Sequence, residues 1–381
     1  MNSHSPSAVM DRIRPDGKRI HVVFDMTFPR RLRTGTTVYA NELVAALRER
    51  STCQVTCVAE PVPIRHGGFW RLWNGIRNLL WTQVVLPLKL LWLRADVLHA
   101  PSFFAPVVCP CPVVLSVHDV LYLTHPQYSR NNLFSLYARL FIRRSIRRAD
   151  MICTVSKASK AEIQSAYGVP SERIRVTYPG VSSRFQPQSE ATIAAVREKY
   201  GLSKPFFLFV GMWVRRKNIP RLIEAFRIYL QAEKEDRELV LVGPQDGGET
   251  GIEALLADLD LTKRVRSLAY VPDEDMPSIY AAADVLAMPS LGEGFGLPIV
   301  EAMASGTPVI ASNVSCLPEV AGDAALFFNP NEPADIAHAM KLATHPETRR
   351  YLKESGLKRA QLFTWENTAR ETEKLYADAL K

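Results

Sequence analysis

Short apolar runs alternate with amphipathic stretches along most of the chain. Five runs in the first half are of strand length: Arg19–Asp25, Gln54–Ala59, Asp96–Ala100, Pro112–His118 and Ala149–Val155. Helical patterns cover about Thr37–Arg50 and a basic stretch at about Asn132–Arg148. Apolar strands that alternate with helices predict a parallel sheet covered on both faces.

The same alternation restarts after Val176–Glu190, a stretch rich in Pro, Gly and Ser that is typical of a linker. The second half predicts strands at Phe206–Val210, Glu238–Val242, Val265–Tyr270, Asp284–Met288 and Pro308–Ala311. It predicts helices at about Ile219–Ala232, Ile252–Leu259, Asp275–Ala282, Pro298–Ala304 and Trp365–Leu380. The pattern therefore predicts an α/β protein with two Rossmann-like, doubly wound domains that face an interdomain cleft.

Length and composition agree with two globular domains. The chain has 381 residues, of which 47% are hydrophobic and 23% charged, and this excludes a disordered or collagen-like chain. Six scattered cysteines without C-x2-C spacing predict reduced, buried thiols in a cytoplasmic protein. We expect residues 1–18 to be a disordered lead rather than a signal peptide, because they contain no long apolar core.

The net charge of +8 is unevenly distributed. Residues 1–200 contain 27 basic and 13 acidic side chains, whereas residues 201–381 contain 20 and 26. A change of sign between halves indicates that the first half faces something anionic.

An apolar segment at Leu79–Leu93 raises the question of membrane contact. Its 15 residues include Pro87 and Lys89, and a spanning helix needs about 20 apolar residues, so we exclude a transmembrane span. Tryptophans and basic residues between positions 69 and 94 are typical of a segment that lies in a membrane interface. The alternative is a packed core helix with an exposed basic edge.

The segment from Asp284 to Ala311 carries the clearest chemistry. A predicted strand leads into the glycine-rich loop Leu291–Leu297, and Pro298 then opens a helix. Free N–H groups and the dipole of a helix N-terminus attract anions, and glycines let the backbone approach a ligand closely. The segment therefore predicts an anion site.

Two carboxylates belong to this segment: Glu293 lies within the loop, and Glu301 lies one turn into the helix. A carboxylate at the second position could accept hydrogen bonds from a ribose diol. The alternatives are a solvated turn residue for Glu293 and a residue that complements the helix dipole for Glu301. The loop is not a G-x-G-x-x-G sequence, and this disfavours a dinucleotide oxidoreductase.

Three consecutive cations, Arg215, Arg216 and Lys217, follow the strand that ends at Gly211. Cations are disfavoured where a helix begins, and a multiply charged anion would relieve the conflict. The cluster therefore indicates phosphate binding, with a solvated basic turn as the alternative.

Polar residues also follow predicted strands of the first half. The loop Thr34–Thr37, which includes Gly35, follows the first strand, and His118 ends the strand at Pro112–His118. Ser156 ends the strand before it and either faces the cleft or caps the next helix. His118 contacts a ligand in one interpretation and is a structural histidine in the other.

Together these residues resemble the family-four retaining glycosyltransferases of GT-B fold, from about Ile20 to the C-terminus. The most specific block is residues 270–330, with SLGEGFGLPIVEAMASGTPVIA at its centre. Met212 directly after Gly211 departs from many members, which have a basic residue there. This departure resembles the subgroup that contains mannosyltransferases of bacterial polysaccharide synthesis. The segments TGTTVYANEL, HDVLYLTHP and VSKASK resemble the same subgroup.

The resemblance implies roles for residues that match the family motifs. Catalytic roles fall on Glu293 and His118 at the donor sugar and on Lys217 at the diphosphate. Donor contacts are expected from Gly35, Ser156, Gly211, Arg216, Lys217, Val271, Gly294, Phe295, Gly296, Leu297 and Glu301, with no metal. It further implies an acceptor-side domain at 19–185, a donor domain at 186–360 and a last helix at 361–381 that crosses back.

The resemblance implies a retaining transfer of a hexose, most of all mannose from GDP-mannose, to a lipid-linked saccharide, without a cofactor or metal. The alternatives are a UDP- or dTDP-hexose donor, a nucleotide-sugar epimerase and a silent binding scaffold. Residues 69–94 and 143–148 would place the enzyme peripherally on an anionic inner membrane face. Nucleic acid is not an expected partner.

Overall fold

The computed structural model describes residues 19–29, 35–61, 68–121, 141–245 and 251–381. The predicted lead at residues 1–18 and residues 132–140 of the predicted basic helix lie outside the described residues. Residues 141–148 are helical, as the sequence predicts for the end of that basic stretch.

Two parallel six-stranded sheets form the framework of the described chain, and the predicted α/β, GT-B class is confirmed. The first sheet consists of β1 Ile20–Asp25, β2 Cys53–Val58, β3 Val97–Ala100, β4 Val113–Ser116, β5 Met151–Thr154 and β6 Ile174–Val176. The second consists of β7 Phe206–Val210, β8 Glu238–Val242, β9 Val265–Leu268, β10 Val285–Met288, β11 Val309–Ser312 and β12 Ala325–Phe328.

Helices connect the strands. The first half contains α1 Gly35–Arg50, α2 Gly68–Leu80, α3 Leu86–Leu93 and α4 Lys157–Tyr167. The second half contains α5 Glu190–Tyr200, α6 Ile219–Glu233, α7 Ile252–Asp258, α8 Met276–Ala282, α9 Leu297–Ala304, α10 Leu317–Ala321, α11 Pro333–Thr344, α12 Pro346–Ala360 and α13 Trp365–Ala379.

Strand order locates the points where ligands bind. The orders are β2-β1-β3-β4-β5-β6 and β12-β11-β10-β7-β8-β9, so the direction of winding reverses between β1 and β3 and between β7 and β10. Ligands of open α/β sheets bind beyond the carboxyl ends of the strands at such reversals. The cation cluster follows β7 and the glycine-rich loop follows β10, so both lie at the second reversal.

Apolar side chains fill both faces of the sheets. One core cluster spans the two domains and includes Phe24, Leu208 and Met288, and the outer faces have clusters of their own. The last helix, α13, packs on the first domain. Its Tyr376 hydroxyl lies 2.7 Å from His99 Nδ1, and its Glu373 pairs with Arg50 at 3.0 Å.

The tryptophan-rich segment combines features of both interpretations given above. It forms α2, a π-helical turn at Trp81–Val85, and α3. Trp81, Leu86 and Leu90 are buried in the outer core of the first sheet, whereas 81% of Trp92 and 61% of Leu88 remain exposed. One side of this helical segment therefore packs in the core, and its exposed edge is apolar as well as basic. None of the described helices has the length and apolarity to cross a membrane.

Candidate active site

The centre of the site is an ion triad between the two loops at the second reversal. Glu293, in the loop after β10, pairs with Arg216 Nη1 through Oε2 and with Lys217 Nζ through Oε1, both at 2.7 Å. The glutamate and the lysine are less than 10% exposed. Two buried ion pairs therefore connect Glu293 to cations that lie more than seventy residues earlier in the chain.

Burial and charge act in opposite directions on these groups. Burial favours a neutral Glu293, but the charges of Arg216 and Lys217 prevail and lower its pKa to about 2. Burial lowers the pKa of Lys217 from its ordinary value, although Glu293 opposes this shift. The charge of Glu293 raises the pKa of Arg216. The triad therefore carries one net positive charge when all three groups are ionised.

The three cations lie just before α6 rather than in its first turn. Arg215–Lys217 form a 3-10 turn that ends before α6 begins. Asn218 interrupts the helix with φ of 59°, and its side-chain amide donates to the carbonyls of Pro289 and Pro330 at 3.1 and 2.7 Å. The turn leaves Arg215 exposed and directs the Lys217 side chain to Glu293.

Glycines in the loop after β10 allow the two domains to approach each other. A Cβ atom on Gly294 would lie 2.7 Å from the carbonyl oxygen of His118 in the first domain. A Cβ on Gly292 would lie 2.9 Å from the Leu121 side chain. Gly296, with φ of 90°, ends the loop, and Leu297 begins α9. The side chain of Phe295, between Gly294 and Gly296 in the sequence, is buried.

A second carboxylate lies one turn into α9. Glu301 Oε2 accepts a 2.7 Å hydrogen bond from the Tyr280 hydroxyl. Burial raises the pKa of Glu301, and the Tyr280 hydrogen bond partly opposes this. The backbone loop after β9 contains Val271, which is buried, while Tyr270 before it is exposed.

On the first-domain side, His118 follows β4. Burial lowers its pKa to about 4, so the imidazole is neutral near pH 7. Its ring contacts the Tyr39 ring edge-on at 4.7 Å, and its buried Nε2 has no hydrogen-bond partner among the described residues. A neutral ring nitrogen without a partner is suited to a polar ligand atom.

Gly35 and Ser156 also lie on the first-domain side. A Cβ on Gly35 would lie 3.8 Å from the Leu297 side chain, so the start of α1 faces the loop after β10. Ser156 is fully buried and caps α4, because its side chain accepts from Ser159 N at 3.0 Å. Gly211 approaches the lysine closely: a Cβ there would lie 3.3 Å from Lys217 Cε.

Three further contributors are absent from the predicted site residues. Asp119 lies close enough to Arg216 for that cation to oppose the upward pKa shift that burial gives the aspartate. Ser315 Oγ and Cys316 Sγ both donate to the carbonyl of Glu293, at 2.8 and 3.1 Å, and fix the loop from behind. Asp119 is adjacent to His118 in the sequence, whereas no local pattern marks the other two.

A cleft in the described chain lies away from these residues. It has a volume of about 550 Å³ between α1, the linker and the start of α13, with Glu42, Glu49, Phe185 and Trp365 among its walls. None of the predicted site residues lines it.

Comparison with known proteins connects this geometry to a family. Residues 33–185 match the family described as Glycosyltransferase Family 4, and residues 193–359 match Glycosyl transferases group 1. O-antigen chain mannosyltransferase B of Escherichia coli is 34% identical over 300 residues, which cover 77% of this chain and 78% of that protein.

Solved structures share the fold at lower identity. Sucrose-phosphate synthase from Thermosynechococcus elongatus has a TM-score of 0.75 at 21% identity, over 94% of this chain and 98% of that one. Anabaena HepE in complex with UDP-glucose has a TM-score of 0.73 at 20% identity, over 94% and 100%. The chain belongs to the group 1 and family-four glycosyltransferases, and it is an enzyme that transfers a hexose.

Proposed function

We propose that this enzyme transfers mannose from GDP-mannose to a saccharide acceptor, with retention of anomeric configuration, in cell-surface polysaccharide synthesis. The observation that carries the site is the pair of cations, Arg216 and Lys217, at the second reversal beside the N-terminus of α9. The mannose assignment draws on the similarity to the E. coli O-antigen enzyme over most of both chains.

The leaving group explains why cations are needed. Departure of a nucleoside diphosphate develops negative charge on phosphate oxygens, and preorganised cations stabilise that charge at little reorganisation cost. Lys217 is held in place by its ion pair with Glu293, and the absence of a side chain at Gly211 leaves room for it. Arg216 offers a planar fork for phosphate. We propose that these fixed charges and the first-turn N–H groups of α9 take the place of a metal ion.

Retention follows from attack on the face that the diphosphate leaves. The acceptor hydroxyl forms the new C–O bond, the C–O bond to phosphate breaks, and the departing phosphate oxygen takes the hydroxyl proton. Both oxygens of Glu293 are already paired with cations, so this carboxylate is a poor nucleophile. It is better suited to orient the donor sugar between Arg216 and Lys217.

Contacts to the rest of the donor are assigned by position. We assign Glu301, which accepts a hydrogen bond from Tyr280, to the hydroxyls of the ribose diol. Backbone groups at Val271 are assigned to the base, and those of Gly294, Phe295, Gly296 and Leu297 to sugar and phosphate. His118 Nε2 is assigned to a hydroxyl of the donor sugar. Gly35 and Ser156 stay predicted donor contacts.

A thermal-shift screen with GDP-mannose, UDP-glucose, dTDP-glucose and ADP-glucose tests the donor. A ligand at 100 times its Kd stabilises the protein by about 2.7 kcal/mol, which is readily measured. We expect the largest shift with GDP-mannose. A larger rise in melting temperature with UDP- or dTDP-glucose would show that GDP-mannose is not the preferred donor. The assignment as a glycosyltransferase would still hold.

We also propose that the enzyme works peripherally on the cytoplasmic face of an anionic membrane, where a lipid-linked acceptor resides. An exposed apolar strip runs along α2, the π-helical turn and α3; it consists of Trp73, Leu80, Val84, Leu88, Leu91 and Trp92. Exposed Arg143, Arg144 and Arg147 project from helical residues 141–148, whose Ile142 and Ile146 share the outer core with Trp81. Apolar and basic groups on one side are suited to an anionic interface.

Vesicle flotation tests this surface. We expect the protein to float with vesicles that contain anionic phosphatidylglycerol and much less with pure phosphatidylcholine. The double variant Leu88→Ser/Trp92→Ser should lose binding, whereas Leu362→Ser, an exposed leucine in the other half, should retain it. Equal, negligible binding to both vesicle types would contradict the proposal.

A further inference from the structure

The N-terminus of α4 is capped from two domains at once. Ser156 accepts from the backbone N–H of Ser159 at 3.0 Å, as a local cap does. Glu319, from α10 of the second domain, accepts from the N–H groups of Lys157 and Ala158 at 2.7 and 3.1 Å through its two oxygens. The first turn of a helix has free N–H groups and a positive dipole end, so a carboxylate is well matched to it.

Glu319 is rigidly attached to its own domain. Arg359 on α12 donates to the carbonyls of Glu319 and Val320 at 2.6 and 2.9 Å. The Tyr178 hydroxyl, from the segment after β6 of the first domain, donates to Glu319 Oε1 at 2.8 Å and adds a further contact between the domains. The carboxylate therefore connects α4 to the second domain through fixed groups.

The same contact region reaches the donor loop. Ser159 Oγ donates to the carbonyl of Gly294 at 3.3 Å, across the domains. Ser315 and Cys316, which precede α10, donate to the carbonyl of Glu293. One turn of α4 and the start of α10 thus hold both sides of the loop that carries Glu293.

We propose that Glu319 is a positioning residue that holds the cleft closed, by capping α4 of the first domain and so pressing Gly294 against His118. The helix α13 and the Thr368–Tyr178 hydrogen bond of 2.7 Å connect the domains behind the cleft. Opening of the cleft must break the two backbone bonds to Glu319, together with the Tyr178–Glu319 and Ser159–Gly294 hydrogen bonds. These bonds therefore set the balance between an open and a closed enzyme.

The expected size follows from what helix caps contribute. Removal of a helix cap changes an equilibrium by about 2- to 30-fold. We expect Glu319→Ala to shift the closed-to-open ratio about tenfold toward open. Glu319→Gln keeps one acceptor oxygen and turns an amide toward the other N–H, so its effect should be intermediate.

Small-angle X-ray scattering and donor kinetics on the full chain test the inference together. We expect Glu319→Ala to increase the radius of gyration without nucleotide, and to raise the KM for the donor about tenfold with a smaller change in kcat. Asp323→Ala, an exposed acidic residue just beyond α10, is the matched control and should match wild type in both. Loss of stability alone would lower Tm without moving the radius or KM.

The inference is overturned if Glu319→Ala scatters like wild type and its donor KM stays within twofold. The kinetic readout rests on the proposed function, whereas scattering does not. If wild type used none of the four nucleotide sugars, the proposed function would fail and the radius of gyration would still decide the role of Glu319.

Discussion

At the scale of single residues, the site depends on charges buried together. Lys217 and Glu293 are each less than 10% exposed, and neither would be stable as an isolated buried ion. With Arg216 they form a triad with one surplus positive charge, which we propose binds the diphosphate. An anion that arrives beside Lys217 offsets the burial that lowers its pKa.

Substitution of the lysine tests this assignment. Lys217→Ala removes a cation at the leaving group and leaves Glu293 with one partner, so we expect kcat/KM to fall at least 10²-fold in a transfer assay. Arg215→Ala is the matched control, because Arg215 is exposed on the same turn, and it should stay within twofold. Near-normal activity of the Lys217 variant would show that the cation does not stabilise the leaving group.

The pH dependence follows from the same environment. The pKa of His118 is lowered to about 4 and that of Glu293 to about 2, so neither changes charge between pH 5.5 and 8. We expect neither His118 nor Glu293 to contribute a step in kcat/KM over that range. Because the pKa of Lys217 is lowered, this side chain loses its charge at a lower pH than an ordinary lysine does. We therefore expect kcat/KM to begin to fall at a pH below the ordinary pKa of lysine. A step near pH 6.5 that disappears in His118→Gln would contradict a neutral His118.

At the scale of elements, close approach of the loop after β10 to the first domain is the critical feature. Gly294→Ala places a methyl group 2.7 Å from the His118 carbonyl, which forces the loop or the domains apart. We expect kcat/KM to fall at least tenfold while circular dichroism stays native. Gly75→Ala in α2, where a Cβ meets nothing within 4 Å, is the control and should be neutral or slightly stabilising. Equal activity of both variants would remove the steric argument.

Sequence patterns identified most elements but not their partners. Most predicted strands end within two residues of the observed ones, because fully buried parallel strands are continuous apolar runs. The strands β6 and β12, which lie at sheet edges, were missed; β6 has only three residues and borders the predicted linker. The ion pairs of Glu293 and the capping role of Glu319 arise from tertiary contacts across long separations, which local periodicity does not encode.

At the scale of the whole molecule, each half contributes differently. The second domain contains the predicted site residues Arg216, Lys217, Glu293 and Glu301, although its overall charge is negative. The first domain contributes His118 and Gly35 and carries the excess of basic residues. The net charge of +8 therefore reports on the surface of the first domain more than on the ligand.

Hydrogen–deuterium exchange with and without GDP-mannose tests most directly where the donor binds. We predict slower exchange of backbone amides in residues 211–218 and 292–299, with a smaller effect around His118. The wide cleft beside Glu42 and Trp365 provides the internal comparison and should not change. Protection confined to that cleft, with unchanged exchange at 211–218 and 292–299, would contradict the account.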